Sequence, residues 1–416
     1  MSDASVSLKS ITPRQWRSGI AAWLGWLFDG LDIHLYTVVA AAFLAEILHT
    51  DKGASEVKTY SAIIQAAFLT GWALGGAFFG FLGDRIGRSR SLGLTILTYA
   101  IFTGLSSFST QWWHLLIFRF VAALGIGGEW AVGSALLAET WPKQWRGWIA
   151  AVLQTGVNLG VLLATLATFL MASTPRWVFV VGIIPALLVF WIRRHVPEPE
   201  EWHAAQHDAS APKPKVADLF RGDVARTTWL VIGVCAFSLT GWWAFQFWNL
   251  QYLQGMPEVK ALGSTQATKI ASTAFAWTIG ISIFGNFAAG GLARRFGYRN
   301  AILIMLSGFF VAEFLTFRNV LPFGTLYWCL PIVGFFSGVF GLFTMYLPPL
   351  FPVLLRTTGA GFCYNIGRIV AAAGTVLFKL VSPVEDLRVS LLWVAGCFVL
   401  AIPFAAFLPN LRDRSE

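Results

Sequence analysis

The chain has 416 residues, 56% of them hydrophobic and 12% charged, with a formal net charge of +9. A soluble domain carries about 25% charged residues, so the composition excludes an ordinary soluble protein, and 36 Phe with 20 Trp suit helices that face lipid and end in aromatic belts. On a soluble chain the positive charge would suggest nucleic acid; here Lys and Arg sit in short segments between apolar runs, so the charge speaks of membrane topology and no nucleic-acid partner is expected.

A helix needs about 20 apolar residues to cross a bilayer. Such runs fall at 18–45, 60–82, 91–109, 113–138, 148–171, 175–193, 228–253, 270–292, 300–317, 324–350, 358–381 and 388–408, called helix 1 to helix 12 below. The segment before Trp16 is polar and the first run is too long for a signal peptide, so none is expected. An even number of spans puts both termini on one side. If that side is the cytoplasm, the tails and even-to-odd loops hold twenty Lys and Arg against eight opposite, with Arg119 and Arg368 inside helices. The positive-inside rule therefore expects cytoplasmic termini. The longest polar stretch, 196–226, contains Pro197, Pro199, Pro212 and Pro214 and reads as a cytoplasmic linker. It separates two all-α six-helix bundles, 1–195 and 227–416. Cys235, Cys329, Cys363 and Cys397 lie in apolar runs with no disulfide or metal-ligand spacing, so they read as buried small hydrophobes.

The halves repeat. Gly80-Phe81-Leu82-Gly83-Asp84-Arg85-Ile86-Gly87 follows helix 2, and Gly290-Gly291-Leu292-Ala293-Arg294-Arg295-Phe296-Gly297 follows helix 8, an offset of 210 residues. The same offset carries Pro142 to Pro352 and Arg146 to Arg356. Parallel six-helix repeats imply two halves that rock about a central site.

Charges inside a membrane cost about 2.5–3.5 kcal/mol each on insertion scales. Asp29, Asp32, Arg119, Glu129 and Arg368 must therefore face one another or water. Asp29 and Asp32 are three residues apart on one face of helix 1, with Tyr36 continuing it. At about 1.5 Å per residue they lie roughly 15–20 Å in from Ser18. Two carboxylates so close repel, as a proton-carrying group requires; a local cap or a structural pair with Arg119 is the alternative. Asp32, the deeper of the two, is the better candidate for proton coupling. At offset 210 helix 7 has Leu239 and Trp242, so the acids are not scaffold shared by both halves. Glu129 lies among Gly125, Gly127, Gly128 and Gly133 and either relays protons or anchors helix 4. Gln154 and Asn158 form a stripe on helix 5, and Trp242, Gln246 and Asn249 another on helix 7; either lines a pocket or joins helices. Arg368 sits about ten residues into helix 11 beside Tyr364 and Asn365. Its planar fork fits a carboxylate, with a salt bridge as the alternative. Gly71-x-x-x-Gly75 and Gly76-x-x-x-Gly80 read as helix-packing faces. His34 is on another face of helix 1 from Asp32.

The loop from Gly80 through Asp84, Arg85, Gly87 and Arg88 to Arg90 resembles the signature loop of the major facilitator superfamily, and the copy after helix 8 resembles its degraded repeat. More narrowly, Phe28-Asp29-Gly30-Leu31-Asp32, Gly127-Gly128-Glu129-Trp130, Glu139-Thr140-Trp141-Pro142 with Arg146-Gly147, and Gly361-Phe362-Cys363-Tyr364-Asn365-Ile366-Gly367-Arg368 resemble bacterial metabolite:proton symporters of organic acids, among them sialic acid, lactate/pyruvate and aromatic-acid carriers. Pro349 stands where many of those relatives have glutamate, and Ala123 where glycine is common, so no particular substrate carries over.

The resemblance implies a twelve-helix membrane fold in which every third helix is peripheral, and helices 3, 6 and 12 are indeed almost free of strongly polar residues. It implies a monomeric, multi-pass protein of the bacterial inner membrane that moves a small organic anion, with no cofactor beyond the proton gradient, no metal and no enzymatic activity. Arg119 matches the buried arginine of that family and is expected to partner the helix 1 acids. The proton-coupling set is then Asp29, Asp32, Arg119 and Glu129. Arg368, Tyr364, Asn365, Tyr36, Gln154, Asn158, Trp242, Gln246 and Asn249 form the substrate set. Asp84, Arg85, Arg88, Glu139 and Arg146 form a cytoplasmic gate. Proton-coupled symport of a monocarboxylate is the expected activity; uncoupled uniport, exchange or drug export, and a non-transporting membrane sensor, are the alternatives.

Overall fold

A computed structural model describes residues 11–50, 55–170, 175–207, 215–262, 264–381 and 387–412. The described residues form twelve long helical segments in two six-helix bundles. The first bundle comprises helix 1 (Pro13–Leu48), helix 2 (Ser55–Ile86), helix 3 (Arg88–Ser106), helix 4 (Trp112–Thr140), helix 5 (Arg146–Leu170) and a broken helix 6 (Pro175–Ile183 as 3-10 turns, then Ala186–His195). The second comprises helix 7 (Gly222–Gly255), helix 8 (Ser264–Phe296), helix 9 (Tyr298–Phe317), a broken helix 10 (Phe323–Phe336 and Val339–Tyr346), helix 11 (Arg356–Val381) and helix 12 (Leu387–Ala406). Among the described residues, eight helices are long and apolar enough on their own to cross a membrane.

Local chemistry sets the ends and breaks. Thr12 and Gln15 form a reciprocal capping box with Pro13 at the first position of helix 1. Helix 10 breaks at Ser337–Gly338, where Gly338 lies directly on the backbone of Gly285 in helix 8. Helix 7 starts at Gly222, inside the stretch expected to be linker, and the linker itself contains a helix, Glu200–His207. Pro199 precedes that helix, and Glu200 and Glu201 in its first turn complement the helix dipole.

The repeat is visible in the backbone. Gly87 (φ 110°) and Gly297 (φ 86°), 210 residues apart, both open a helix in a conformation that only glycine takes easily. After Pro142 and Pro352 the chain makes one 3-10 turn, Lys143–Trp145 or Val353–Leu355, before Arg146 or Arg356 opens the next helix. Within the bundles helix 1 packs on helix 5 and helix 2 on helix 4, as helix 7 packs on helix 11 and helix 8 on helix 10. The seam between the bundles is symmetric too: helix 2 meets helix 11 and helix 8 meets helix 5. The glycine faces of helix 2 divide this work. Gly71 and Gly75 lie on the backbone carbonyls of Phe120 and Leu124 in helix 4, while Gly76 and Gly80 lie against helix 11 at Asn365, Gly361, Thr357 and Thr358.

Large apolar side chains cover the outside: Leu187 and Phe190 on helix 6, Trp328 on helix 10 and Trp393 on helix 12 are more than 60% exposed. In water such a surface would aggregate; in a bilayer it is the ordinary exterior. Cys235, Cys363 and Cys397 are buried as expected, whereas Cys329 is half-buried.

Candidate functional site

Between the two bundles lies a cavity of about 130 Å³. Helices 1, 2, 4 and 5 line one side and helices 7, 8, 10 and 11 the other. Among the described lining residues two carry charge, Asp29 and Arg368, close enough to attract each other. Around them stand Trp26, Trp72, Trp130, Trp242 and Trp243, and the amides Gln154, Asn158, Gln246 and Asn286. Asn158 reaches across the seam, its Nδ2 donating to Ser282 Oγ at 3.2 Å. Leu239 and Trp242, the repeat positions of Asp29 and Asp32, also line the cavity.

Arg368 is held in a layered stack. Its guanidinium carbon lies 4.0 Å from the Trp72 ring centroid and 4.6 Å from that of Tyr364. Tyr364 is itself stacked on Trp130, with centroids 3.9 Å apart and planes within 10°. Nη1 donates to Asn365 Oδ1 at 2.8 Å, and Asn365 Nδ2 donates to the Gly361 carbonyl at 2.8 Å. Asn365 is buried over Gly76, where a methyl group would overlap its amide. It therefore orients Arg368 from behind and does not line the cavity, contrary to the sequence expectation. Asn249 departs from its stripe in the same way: Trp242 and Gln246 line the cavity, whereas Asn249 is fully buried, with neither amide atom hydrogen-bonded among the described residues. The side chains of Tyr36 and His34 lie outside the described residues.

The two helix 1 acids have different surroundings. Asp32 faces the interior of the first bundle. Arg119 Nη2 lies 3.0 Å from Asp32 Oδ2, Arg119 Nη1 lies 3.1 Å from Oδ1, and Thr103 Oγ1 donates to Oδ1 at 2.6 Å. The Phe68 ring covers this guanidinium at 4.8 Å. Asp29 instead opens on the cavity and approaches Glu129 of helix 4, which in turn approaches the Tyr99 hydroxyl of helix 3. None of these contacts reaches hydrogen-bond geometry: both Glu129 oxygens, Asp29 Oδ1 and the Tyr99 hydroxyl are buried without a partner among the described residues. Glu129 fits because residue 25 is glycine; a methyl group there would overlap Glu129 Oε1.

At one end of the bundle a polar network closes the seam. Asp84 caps the start of helix 11, accepting from the backbone N–H of Thr358 at 2.8 Å, its hydroxyl at 2.6 Å and the Thr357 N–H at 3.4 Å. Arg88 grips Glu139 with two hydrogen bonds of 3.0 and 2.9 Å, pairs with Asp84 at 3.0 Å and donates to the Val353 carbonyl of the second bundle at 2.8 Å. Arg356 joins Glu139 at 3.1 Å to Glu201 at 2.8 Å. Arg146 donates to the Ala138 carbonyl. Arg85 is exposed and lies over the Phe81 ring at 4.6 Å, at the margin of the network. The linker straps the same end: Trp202 Nε1 donates to the Asp84 carbonyl, and Glu198 accepts from the backbone of Ser89 and Arg90.

Sequence reasoning missed Thr357, Thr358, Glu198, Glu201 and the role of Arg356 here, and Trp72, Ser282 and Asn286 in the cavity. Arg356 had a signal, its repeat relation to Arg146. The others are ordinary residues until the second bundle, or the linker, is placed beside the first.

Comparison with known proteins agrees with this architecture. The family profile described as Major Facilitator Superfamily matches residues 22–375. The sialic acid transporter NanX of Escherichia coli (strain K12) is 29% identical over 97% of this chain and 95% of its own length. A probable 4-methylmuconolactone transporter of Cupriavidus pinatubonensis is 33% identical over 97% of this chain and 92% of its own. Among solved structures, the proton:xylose symporter XylE superposes with a TM-score of 0.77 at 19% identity, covering 97% of each chain, which speaks for the fold alone.

Proposed function

The chain belongs to the major facilitator superfamily and is a multi-pass membrane transporter, and on that premise we propose that it carries out proton-coupled symport of a small organic acid by alternating access. The observation that carries this reading is the cavity between the bundles, where Arg368 and Asp29 are the two charged lining groups among the described residues. A half-buried guanidinium held against aromatic rings is a site for a carboxylate, and the relatives named for sialic acid and 4-methylmuconolactone support an organic acid.

Coupling follows from competition for Arg368. While Asp29 is ionised it partly neutralises the guanidinium. A proton on Asp29, shared with Glu129 behind it, removes that attraction and leaves Arg368 to the incoming carboxylate. Proton and substrate then favour each other, and by linkage each raises the other's affinity equally, commonly by about 1–3 kcal/mol. Asp32 and Arg119 stay paired within the first bundle and hold helix 1 in register. Gln154, Asn158, Trp242 and Gln246 shape the pocket, and Tyr364 and Asn365 position Arg368. Loading favours the opposite state, in which the gate of Asp84, Arg88, Glu139 and Arg356 opens.

The remaining assignments rest on the same premise. The six-helix units are 1–195 and 227–416, joined by 196–226, and each cavity wall comes from one copy of the chain, in keeping with a monomer. The excess of Lys and Arg at the gate end supports a cytoplasmic position for that end and both termini, and the bacterial relatives suggest the inner membrane.

Uptake of labelled organic acids into proteoliposomes, with and without an imposed inward proton gradient, tests this function. The gradient is expected to drive accumulation in the native protein. Asp29→Asn is expected to lose that accumulation while still exchanging substrate across the membrane. Uptake indifferent to the gradient in the native protein would sink the coupling.

A further inference from the structure

Two contacts beside the cavity join the bundles. The guanidinium carbon of Arg368 in helix 11 lies 4.0 Å from the ring centroid of Trp72 in helix 2, and Asn158 of helix 5 donates to Ser282 of helix 8 at 3.2 Å. At the offset of 210 residues Trp72 corresponds to Ser282, and Arg368 to Asn158. The same two positions of the repeat therefore bridge both seams, once as a cation on a ring and once as a hydrogen bond, and all four side chains line the cavity. Resting on the alternating-access and organic-acid reading above, we infer that these pairs are the clasps that hold the bundles together beside the cavity while the gate is shut, and that an organic acid loosens the Trp72–Arg368 clasp.

The face of helix 11 that carries Arg368 continues to the gate. Thr358 meets Asp84, Gly361 and Asn365 lie against Gly76, Tyr364 is stacked on Trp130, and Arg368 reaches Trp72. Each of these partners belongs to the first bundle. From Thr358 to Arg368 is about 15 Å of helix, so parting helices 2 and 11 at the gate pulls on the clasp, and loosening the clasp frees the gate. Trp72 also meets Trp243 of helix 7, with centroids 5.9 Å apart, and so touches the second bundle at two points. Tryptophan is the strongest ring partner for a cation. A carboxylate that pairs with Arg368 offsets its charge, and the attraction between cation and ring falls. The Asn158–Ser282 hydrogen bond joins two neutral groups and is indifferent to that pairing. Loading thus acts on one seam and spares the other, and the seam it acts on is the one that Asp84 latches.

Spin labels on the gate ends of helices 2 and 11 test the clasp in the purified full chain without ligand. The open-to-shut ratio should rise about fivefold in Trp72→Leu and by less in Trp72→Phe, which keeps a ring for the cation. Trp72→Leu should add little to Arg368→Gln, because both break one contact. Asn158→Ala should multiply the effect of Trp72→Leu, because it breaks another. A native chain that shows both distances in a ratio that Trp72→Leu leaves unchanged overturns the clasp alone. So does a Trp72→Leu effect that is undiminished in Arg368→Gln, which would make Trp72 a packing residue. One fixed distance in the native chain and in every variant overturns the clasp and alternating access together. Lactate, benzoate and N-acetylneuraminate then serve as probe acids. One that binds should raise the ratio in the native chain and much less in Trp72→Leu; an equal rise in both overturns the action of the acid on the clasp. Binding by none of the three overturns the organic-acid reading, and with it that action, and leaves the clasp to the distances.

Discussion

The gate and the middle of the bundle bury charge on opposite terms. At the gate Asp84, Arg88 and Glu139 belong to the first bundle, and their partners Thr357, Thr358, Val353 and Arg356 belong to the second. On the proposed mechanism those partners separate when that end opens, so the hydrogen bonds belong to one state of the protein. In the middle, Asp32 and Arg119 find each other within one bundle, and rocking the halves leaves them undisturbed. Asp29 and Glu129 lie between these extremes, buried close together with oxygens that no described group hydrogen-bonds. On the proposed mechanism a satisfied pair inside a bundle is scaffold, a satisfied pair across the seam is a latch, and an unsatisfied one facing a cavity waits for a ligand or a proton.

The sharpest way to break this division is Asp32→Asn. It removes the carboxylate that pairs with the fully buried Arg119, an event that costs about 3–5 kcal/mol. The expected outcome is a large loss of thermal stability in detergent, whichever end of the transporter is open. A variant as stable as the native protein, yet unable to use a proton gradient, would move Asp32 from scaffold to coupling group.

Asp84→Asn probes the latch and should act differently. The amide keeps one acceptor oxygen for helix 11 and loses the charge that meets Arg88. Hydrogen bonds to charged groups are worth about 1.5–3 kcal/mol, which converts to roughly a tenfold to hundredfold shift towards the open gate. Spin labels placed across the seam, on the ends of helices 2 and 11, should report a longer distance in the variant, with little change in thermal stability. Lost stability without a longer distance would make Asp84 scaffold as well.

Much of this division was legible in the chain, for a physical reason. Charge inside a 20-residue apolar run is costly, so Asp29, Asp32, Arg119, Glu129 and Arg368 stand out from hydropathy alone. The gate loop stands out because Asp84 and Arg88 sit together in one short motif. Gln154, Asn158, Trp242 and Gln246, singled out by helical periodicity, line the cavity. Periodicity failed for Asn249 and Asn365, because a period says which residues share a face and not what the face meets. It could not distinguish Asp29 from Asp32 either. They are one turn apart, and only the packing of helices 3, 4 and 6 around Asp32 turns it inward. Thr358 was out of reach for another reason: it lies 274 residues from Asp84, and nothing in either segment names the other.

Glu313 supplies the smallest test and the cleanest contrast. It is completely buried on helix 9, away from both gate and cavity, between the Phe309–Phe398 stack and Phe317 along the helix 12 face. Neither of its oxygens has a hydrogen-bond partner among the described residues, and Cys397 is its polar neighbour. By the rule drawn from the middle of the bundle, an unsatisfied buried acid is kept for a ligand or a proton, yet this one does not line the cavity between the bundles. If burial alone governs it, Glu313→Leu removes a group that is costly to leave unpaired and replaces it with an apolar side chain of similar length. Stability should then rise by about 1 kcal/mol, read as a higher unfolding temperature, with uptake and its dependence on the proton gradient unchanged. If uptake instead loses its response to the gradient, the unsatisfied acids form one system across both bundles, and proton handling is not confined to the Asp29–Glu129 side of the seam.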